Sequence, residues 1–230
     1  MLRTQDRGAE GAFDAVASLY DSWFETPLGR TVDELEKDLL WKLIGSGDGR
    51  ALDVGTGTGH FAVEFVSRGW TAVGLDLSAE MLAVARGKGA ALSLTRGDAG
   101  ALPVASESFD LVLSVTALEF VAHPHQALQE MWRALRPGGR LVMGVLNAWS
   151  PWAWARRLES RKAETPFSGA RFFAPTAFVR ILRRFGSVHW SSSVFVGPGG
   201  QGLRWARGLE RLGRVLLRPF GALLVGRVQK

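Results

Sequence analysis

The sequence predicts an α/β fold built on a largely parallel sheet, and three observations carry that expectation. Helix and strand patterns alternate from residue 31 to about residue 147, the rhythm of strand–helix–strand crossovers. A short apolar strand, "RALDV", runs directly into a glycine-rich turn, "GTGTG" at residues 55–59. Acidic residues, Asp53, Asp76 and Asp98, stand at the ends of three consecutive predicted strands. That is the carboxyl edge, where ligands bind in such sheets.

The elements follow in order. Thr31 with Glu34 three residues later has the form of a capping box, and Val32, Leu35, Leu39 and Leu43 then make a helical stripe. After the glycine turn, "HFAVEFVSRG" reads as a helix closed by Gly69. "TAVGLDL" is the second strand, and Ser78 is placed to cap the helix "AEMLAVARG". "ALSLTRG" and "FDLVLSV" are two more strands. "HPHQALQEMWRALRPGG", residues 123–139, reads as a helix with Pro124 in its first turn and a Pro-Gly-Gly stop. "GRLVMGVLN" is the fifth strand.

After Asn147 the rhythm breaks into an aromatic, basic stretch, expected to be an irregular cap over the carboxyl edge. Strand character returns in "SVHWSSSVFVG" and "GALLVGRVQK", with a helix from Leu203 to Arg218 between them. The predicted organisation is a single domain. It has an N-terminal helical cap over 1–45, a ligand-binding core over 50–147, a cap insert over 148–185 and the remainder of the sheet over 186–230.

Composition removes several classes of function. With no cysteine there is no disulfide, thiolate metal site or cysteine nucleophile. No apolar run approaches the roughly 20 residues that span a bilayer. The stretch "MLRTQDRGAEGAF" lacks the pattern of a signal peptide, so a cytoplasmic protein is expected. The net charge of +6 hides an asymmetry. Residues 1–130 hold 10 Lys and Arg against 19 Asp and Glu, whereas residues 131–230 hold 18 against 3. A basic half suits an anionic substrate, a nucleic acid or a membrane surface, and a solvated arginine surface accounts for it equally. Arg204, Arg207, Arg211, Arg214 and Arg218 recur at helical spacing beside an apolar face of Leu209, Leu212 and Leu216. The arginine stripe reads as a solvated face. Nucleic-acid contact and peripheral membrane contact are therefore the disfavoured partners.

The glycine turn joins a strand to a helix N-terminus, where unpaired N–H groups and bare main chain suit a nucleotide-like ligand. Two patterns compete. Read from Gly57, "GTGHFA" satisfies the dinucleotide pattern with Ala62, which would make the protein a nicotinamide-dependent oxidoreductase. Gly55, Gly57 and Gly59, with Asp53 before them, instead resemble the first motif of class I S-adenosylmethionine-dependent methyltransferases. Asp76 in "GLDLS", Asp98 in "RGDAGALPVASESFDLVLS" and the segment "LRPGGRLVM" agree with that family in order and spacing. The resemblance covers roughly residues 50–147 and is closest to the methyltransferase type 11 group.

The resemblance implies a Rossmann-like sheet of seven strands with helices on both faces. It places an antiparallel last strand between the fifth and sixth. It implies S-adenosylmethionine as cofactor, with Gly55, Thr56, Gly57 and Gly59 as its glycine loop. Gly55 and Gly57 would lie against the methionine part, with Asp53 near the ammonium group through water. Asp76 would clamp the ribose hydroxyls, Leu77 and Met81 would pack on the adenine, and Asp98 would bind its amino group. Ala99 would offer its N–H to the ring and Ser114 its main chain to the methionine end. Tyr20, in "YDSWFET", resembles a tyrosine that closes over the cofactor. Some of these have a plainer reading: turn glycines at Gly55 and Gly59, a turn aspartate at Asp98, core packing at Met81, an aromatic core or surface anchor at Tyr20.

The implied activity is transfer of a methyl group to a small-molecule acceptor by in-line displacement. Glu119 and His123 are the candidate proton acceptors, and no metal is expected at "HPH" in the absence of cysteine or a second histidine cluster. The segment "SVTAL" lacks the Asn/Asp-Pro-Pro-aromatic motif used on nucleic-acid bases, and cytosine C5 and arsenite methylation rely on cysteines. Trp149, Trp152 and Trp154, with Arg156, Arg157 and Arg171, suit a flat or apolar acceptor carrying an anionic group. An aromatic packing face is the alternative there, with Trp152, Arg156 and Arg171 the chosen acceptor contacts. An RNA- or membrane-associated methyltransferase remains the alternative for the basic half. The sequence carries no signal for oligomeric state or for the atom methylated.

Overall fold

The computed structural model of the protein describes residues 13–89, 91–163 and 165–230, so the first twelve residues of the expected N-terminal cap lie outside it. The first α-helices among the described residues are two short ones, α1 (Ala17–Tyr20) and α2 (Ser22–Glu25), and a long one, α3 (Pro27–Ile44). Then follow β1 (Gly49–Val54), α4 (His60–Ser67), β2 (Trp70–Asp76), α5 (Ala79–Gly87), β3 (Ser93–Arg96) and β4 (Phe109–Val115). The remainder is α6 (Pro124–Ala134), β5 (Leu135–Leu146), α7 (Pro151–Glu159), α8 (Pro175–Leu182), β6 (His189–Ser193), α9 (Ala206–Leu216) and β7 (Leu223–Gln229).

The seven strands form one sheet in the order β3-β2-β1-β4-β5-β7-β6. The first five are mutually parallel, and β7 runs antiparallel to β5 and β6. This is the expected seven-stranded sheet, with its last strand between the fifth and sixth. β1 and β4 read as continuous apolar runs because helices cover both of their faces. On one face Leu52, Val54 and Leu75 pack with Leu128 and Met131 of α6 and Phe178 and Leu182 of α8. On the other, Ala51, Ala72, Leu111 and Leu113 pack with Leu39, Leu40 and Ile44 of α3 and Phe65 of α4. Strand order reverses between β1 and β4, and that reversal opens a crevice at their carboxyl ends.

Local chemistry sets the helix starts. Ser78 caps α5, its Oγ accepting the Met81 N–H at 3.1 Å, as expected. α3 starts earlier than its sequence suggests. Thr26 is the cap, accepting the Gly29 N–H at 2.9 Å, with Pro27 in the first turn. Thr31 lies inside the helix, donating to the Pro27 carbonyl. α6 ends at Ala134, so the Pro-Gly-Gly segment belongs to β5 rather than to a helix end. The stretch after Asn147 is not irregular throughout. Ser150 caps α7 there, its Oγ accepting the Ala153 N–H.

The largest departure is α9. Its buried residues are Ala206, Glu210 and Gly213, while Leu212 and Leu216 are 56% and 68% exposed. Glu210 decides which face docks. Its Oε1 accepts from Ser193 Oγ at 2.6 Å and Arg214 Nε at 2.9 Å, and its Oε2 from the Val194 N–H at 3.0 Å. Arg214 continues to Asp38 and to the Leu35 carbonyl of α3. Arg218 lies over the Trp190 ring and donates to the Trp190 carbonyl. Two members of the arginine stripe are therefore structural rather than solvated.

Glu210→Ala should destabilise the protein by about 3 kcal/mol in urea denaturation, because it strands the buried Val194 N–H and removes the buried carboxylate that Arg214 and Ser193 share. Leu212→Ala, on the exposed arc, should stay within about 0.5 kcal/mol of the wild type in the same measurement.

Candidate active site

A cavity of about 1160 Å³ opens at the carboxyl ends of β1, β2 and β4. Its volume exceeds the roughly 300–1,000 Å³ typical of a single small-ligand site, leaving room for two molecules side by side. One wall is made by strand ends and the loops that follow them. The other is made by α1–α3, α7 and the segment around Phe167.

The strand-end wall is organised by Asp76. The Gly57 N–H donates to its Oδ2 at 2.7 Å and the Ser78 N–H to its Oδ1 at 2.9 Å. Burial raises its pKa, against the pull of these backbone donors. Gly55, Gly57 and Gly59 all have positive φ (77°, 53° and 77°), which explains their lack of side chains. Their surroundings differ. A Cβ on Gly55 would run into Ala117, whereas one on Gly57 would meet nothing within 4 Å. Only Gly57 therefore presents bare main chain to open space. Leu77, Met81, Asp98, Ala99 and Ser114 all line this side. Asp98 Oδ1 is held by the Gly100 N–H at 2.8 Å. The Ser114 hydroxyl is fully buried and has no hydrogen-bond partner among the described residues.

Asp53 is placed differently. It is absent from the cavity wall and nearly inaccessible, with Oδ2 accepting from Thr56 Oγ1 at 2.8 Å. Burial pushes its carboxyl up to about 7, with the nearby Asp76 charge adding to the effect. It shapes the loop from behind, as does Gly59, which packs near Ala85.

The helical wall is fastened to the glycine loop. Asp21 accepts from Thr58 Oγ1 at 2.7 Å and pairs with Lys88 at 2.6 Å. His60 meets Asp33 at 2.6 Å and stacks on Phe24 with ring centroids 4.3 Å apart. Burial opposes ionisation of Asp33, but His60 and Lys37 outweigh it and lower its pKa. Behind this latch, Tyr20 sits edge-on to Phe13 and Phe24. Burial pushes its hydroxyl up to about 12.

Arg156, Glu36 and Glu119 are among the charged residues that line the cavity. Arg156 lies over the Phe167 ring at 4.5 Å and the Trp152 ring at 5.4 Å, and makes no ion pair among the described residues. Burial lowers its pKa and the Glu36 charge opposes that. Glu36, on α3, is pushed up to about 8 by burial despite Arg156. Glu119 is 2% exposed. Its Oε1 accepts the Leu146 N–H, and its Oε2 has no partner among the described residues. Burial pushes it up to about 7.

Among the remaining sequence candidates, Trp152 lines the cavity and anchors α7 through Nε1 to the Val196 carbonyl at 2.8 Å. Arg171 and His123 line it from exposed positions at its rim. Trp149 and Trp154 are exposed outside it, and Arg157 lies over Phe172 beside a separate shallow groove. Glu36 was not among the sequence candidates. Its one signal was a carboxylate four residues after Val32 and four before Leu40, interrupting the apolar arc of α3.

Comparison with known proteins gives this geometry its setting. The family model described as "Methyltransferase domain" matches residues 52–143. An uncharacterised protein of Methanocaldococcus jannaschii is 30% identical over 175 residues, 76% of this chain and 80% of that protein. A demethylmenaquinone methyltransferase from Mycobacterium sp. (strain KMS) is 40% identical over 138 residues, 57% of this chain and 56% of that enzyme. The chain thus spans little more than half the length of that relative. The solved structure of an S-adenosylmethionine-dependent methyltransferase from Thermotoga maritima has a TM-score of 0.76 and 27% identity, over 96% of this chain and 99% of that one. The nicotinamide reading of "GTGHFA" gives way to these matches. The chain belongs to the class I S-adenosylmethionine-dependent methyltransferases of the type 11 group, and S-adenosylmethionine is its cofactor.

Proposed function

We propose that the enzyme methylates a small molecule with an apolar or aromatic body and an anionic group, bound against the helical wall beside the cofactor. The observation that carries this reading is Arg156, a cation with no ion-pair partner among the described residues, flanked by aromatic rings on the cavity wall. A desolvated guanidinium between rings favours a planar anion that it can bond through two N–H groups.

The residues of the strand-end wall fit the cofactor. Open space over Gly57, the orphan hydroxyl of Ser114 and the backbone-braced carboxylate of Asp76 are the features a polar nucleoside would complete. Asp76 takes the ribose hydroxyls, Leu77 and Met81 flank the adenine, and Asp98 with Ala99 recognises its polar edge. Gly55, Thr56, Gly57 and Ser114 border the amino-acid end. Asp53 supports the loop from behind. Tyr20 closes over the cofactor from the helical wall. The cofactor supplies an electrophilic methyl group. This chain's residues align the acceptor and exclude water, a contribution of roughly 7–11 kcal/mol when geometry is good.

Glu119 is the proton acceptor of choice. One oxygen is fixed by main chain, and the other is buried beside the cavity with no hydrogen-bond partner among the described residues. Glu36 offers a second carboxyl to the acceptor opposite Arg156. His123 is exposed at the rim and has no fixing side-chain contact among the described residues.

Three measurements test this. Asp76→Asn should weaken binding of S-adenosylhomocysteine at least tenfold in calorimetry with circular dichroism unchanged, since charge-assisted hydrogen bonds contribute about 1.5–3 kcal/mol. Arg156→Leu should raise KM about tenfold or more for an acidic acceptor found by library screening. Its S-adenosylhomocysteine affinity should stay within about twofold, and an unchanged KM would remove the anionic requirement. Glu119 must shed its proton to act as a base, so turnover should rise with pH through about 7. Glu119→Gln should lose that limb and about a hundredfold in kcat.

A further inference from the structure

The exposed arc of α9 and the segment after it form an apolar surface edged by arginines. Trp205, Leu212, Val215 and Leu216 are 66%, 56%, 78% and 68% exposed. Leu217, Phe220 and Trp149 extend the surface, with the Trp149 and Phe220 rings 6.3 Å apart. In an ordinary surface helix the apolar stripe is the face that packs. Here Glu210 and Gly213 pack, Leu209 is only partly buried beside them, and Leu212 and Leu216 face outward. Contiguous apolar exposure of this kind marks an interaction site.

Charge identifies the occupant. With Arg214 and Arg218 committed to the fold, Arg204, Arg207 and Arg211 remain outward along one border of the apolar arc. Arg207 approaches one carboxylate, that of Glu34, at 3.9 Å, with its own side chain 88% exposed. Apolar side chains with tryptophan and phenylalanine, bordered by arginine, are what a helix lying in a lipid headgroup layer presents. We infer that the α9 face docks on an anionic membrane surface, with Trp205, Leu212, Val215 and Leu216 entering the headgroup layer and Arg204, Arg207 and Arg211 meeting lipid phosphates. No helix among the described residues is long and apolar enough to cross a membrane, so the contact is peripheral. Ala206 of α9 packs with Trp152, Val194 and Ala222, which also line the active-site cavity. The docking face therefore backs directly onto the cavity wall.

Vesicle sedimentation of the full chain tests this, comparing phosphatidylcholine vesicles with vesicles containing about one third phosphatidylglycerol. The wild type should bind the anionic vesicles at least tenfold more tightly, with affinity falling as salt rises. The double change Leu212→Glu with Leu216→Glu should abolish binding, and Arg207→Gln with Arg211→Gln should weaken it about thirtyfold. All four side chains are exposed, so circular dichroism and melting should not change. Failure of the wild type to sediment, equal binding to both vesicles, or unaltered binding by the leucine variant would overturn the inference. So would a wild-type dimer that the leucine variant converts to monomer, which would assign the face to a second copy of the chain.

Discussion

The carboxylate of Asp76 is the point on which the binding crevice depends. Gly55 and Thr56 donate to the Leu75 carbonyl and Gly57 to Asp76, so the turn leaving β1 is laid across the end of β2. The other oxygen of Asp76 takes the first free N–H at the start of α5. One side chain thus joins two helix N-termini to two strand ends. It does so where helix dipoles favour negative charge and burial disfavours it. The positive φ of the three glycines is what lets the turn reach that carboxylate.

Much of this was legible in the sequence because the determinants are local. Buried central strands must be apolar on both faces, so β1, β4 and β5 stand out as runs. Ser78 announces the start of α5, and the glycine turn follows β1 without a gap. The sites that stayed hidden depend on partners distant in the chain. The periodicity of α9 is amphipathic whichever face packs, and the outcome was set by Glu210 finding Ser193, Val194 and Arg214. The start of α3 was misplaced because Thr31 and Thr26 both suit a cap, and only Thr26 precedes a proline. Glu36 broke an apolar stripe by one position, a signal that gains meaning once Arg156, 120 residues later, is seen to face the same space.

The enclosure holds polar groups in an expensive state. Glu36, Glu119 and Asp53 all ionise less readily than free carboxyls, and Arg156 is more weakly basic than usual. Such groups subtract from the stability of the empty protein and are tolerated where a ligand completes them. The clusters on the two faces of the sheet are built of apolar side chains, and the fastening of α1–α3 to the glycine loop uses partly exposed pairs.

The two walls of the cavity come from different parts of the chain. The sheet supplies one, and segments lying outside the parallel strands supply the other. Residues such as Tyr20, Glu36, Arg156 and Phe167 can therefore be exchanged without disturbing any strand pairing. The architecture is modular: exchanging side chains of the helical wall would retune which compounds are accepted while leaving the sheet as it is.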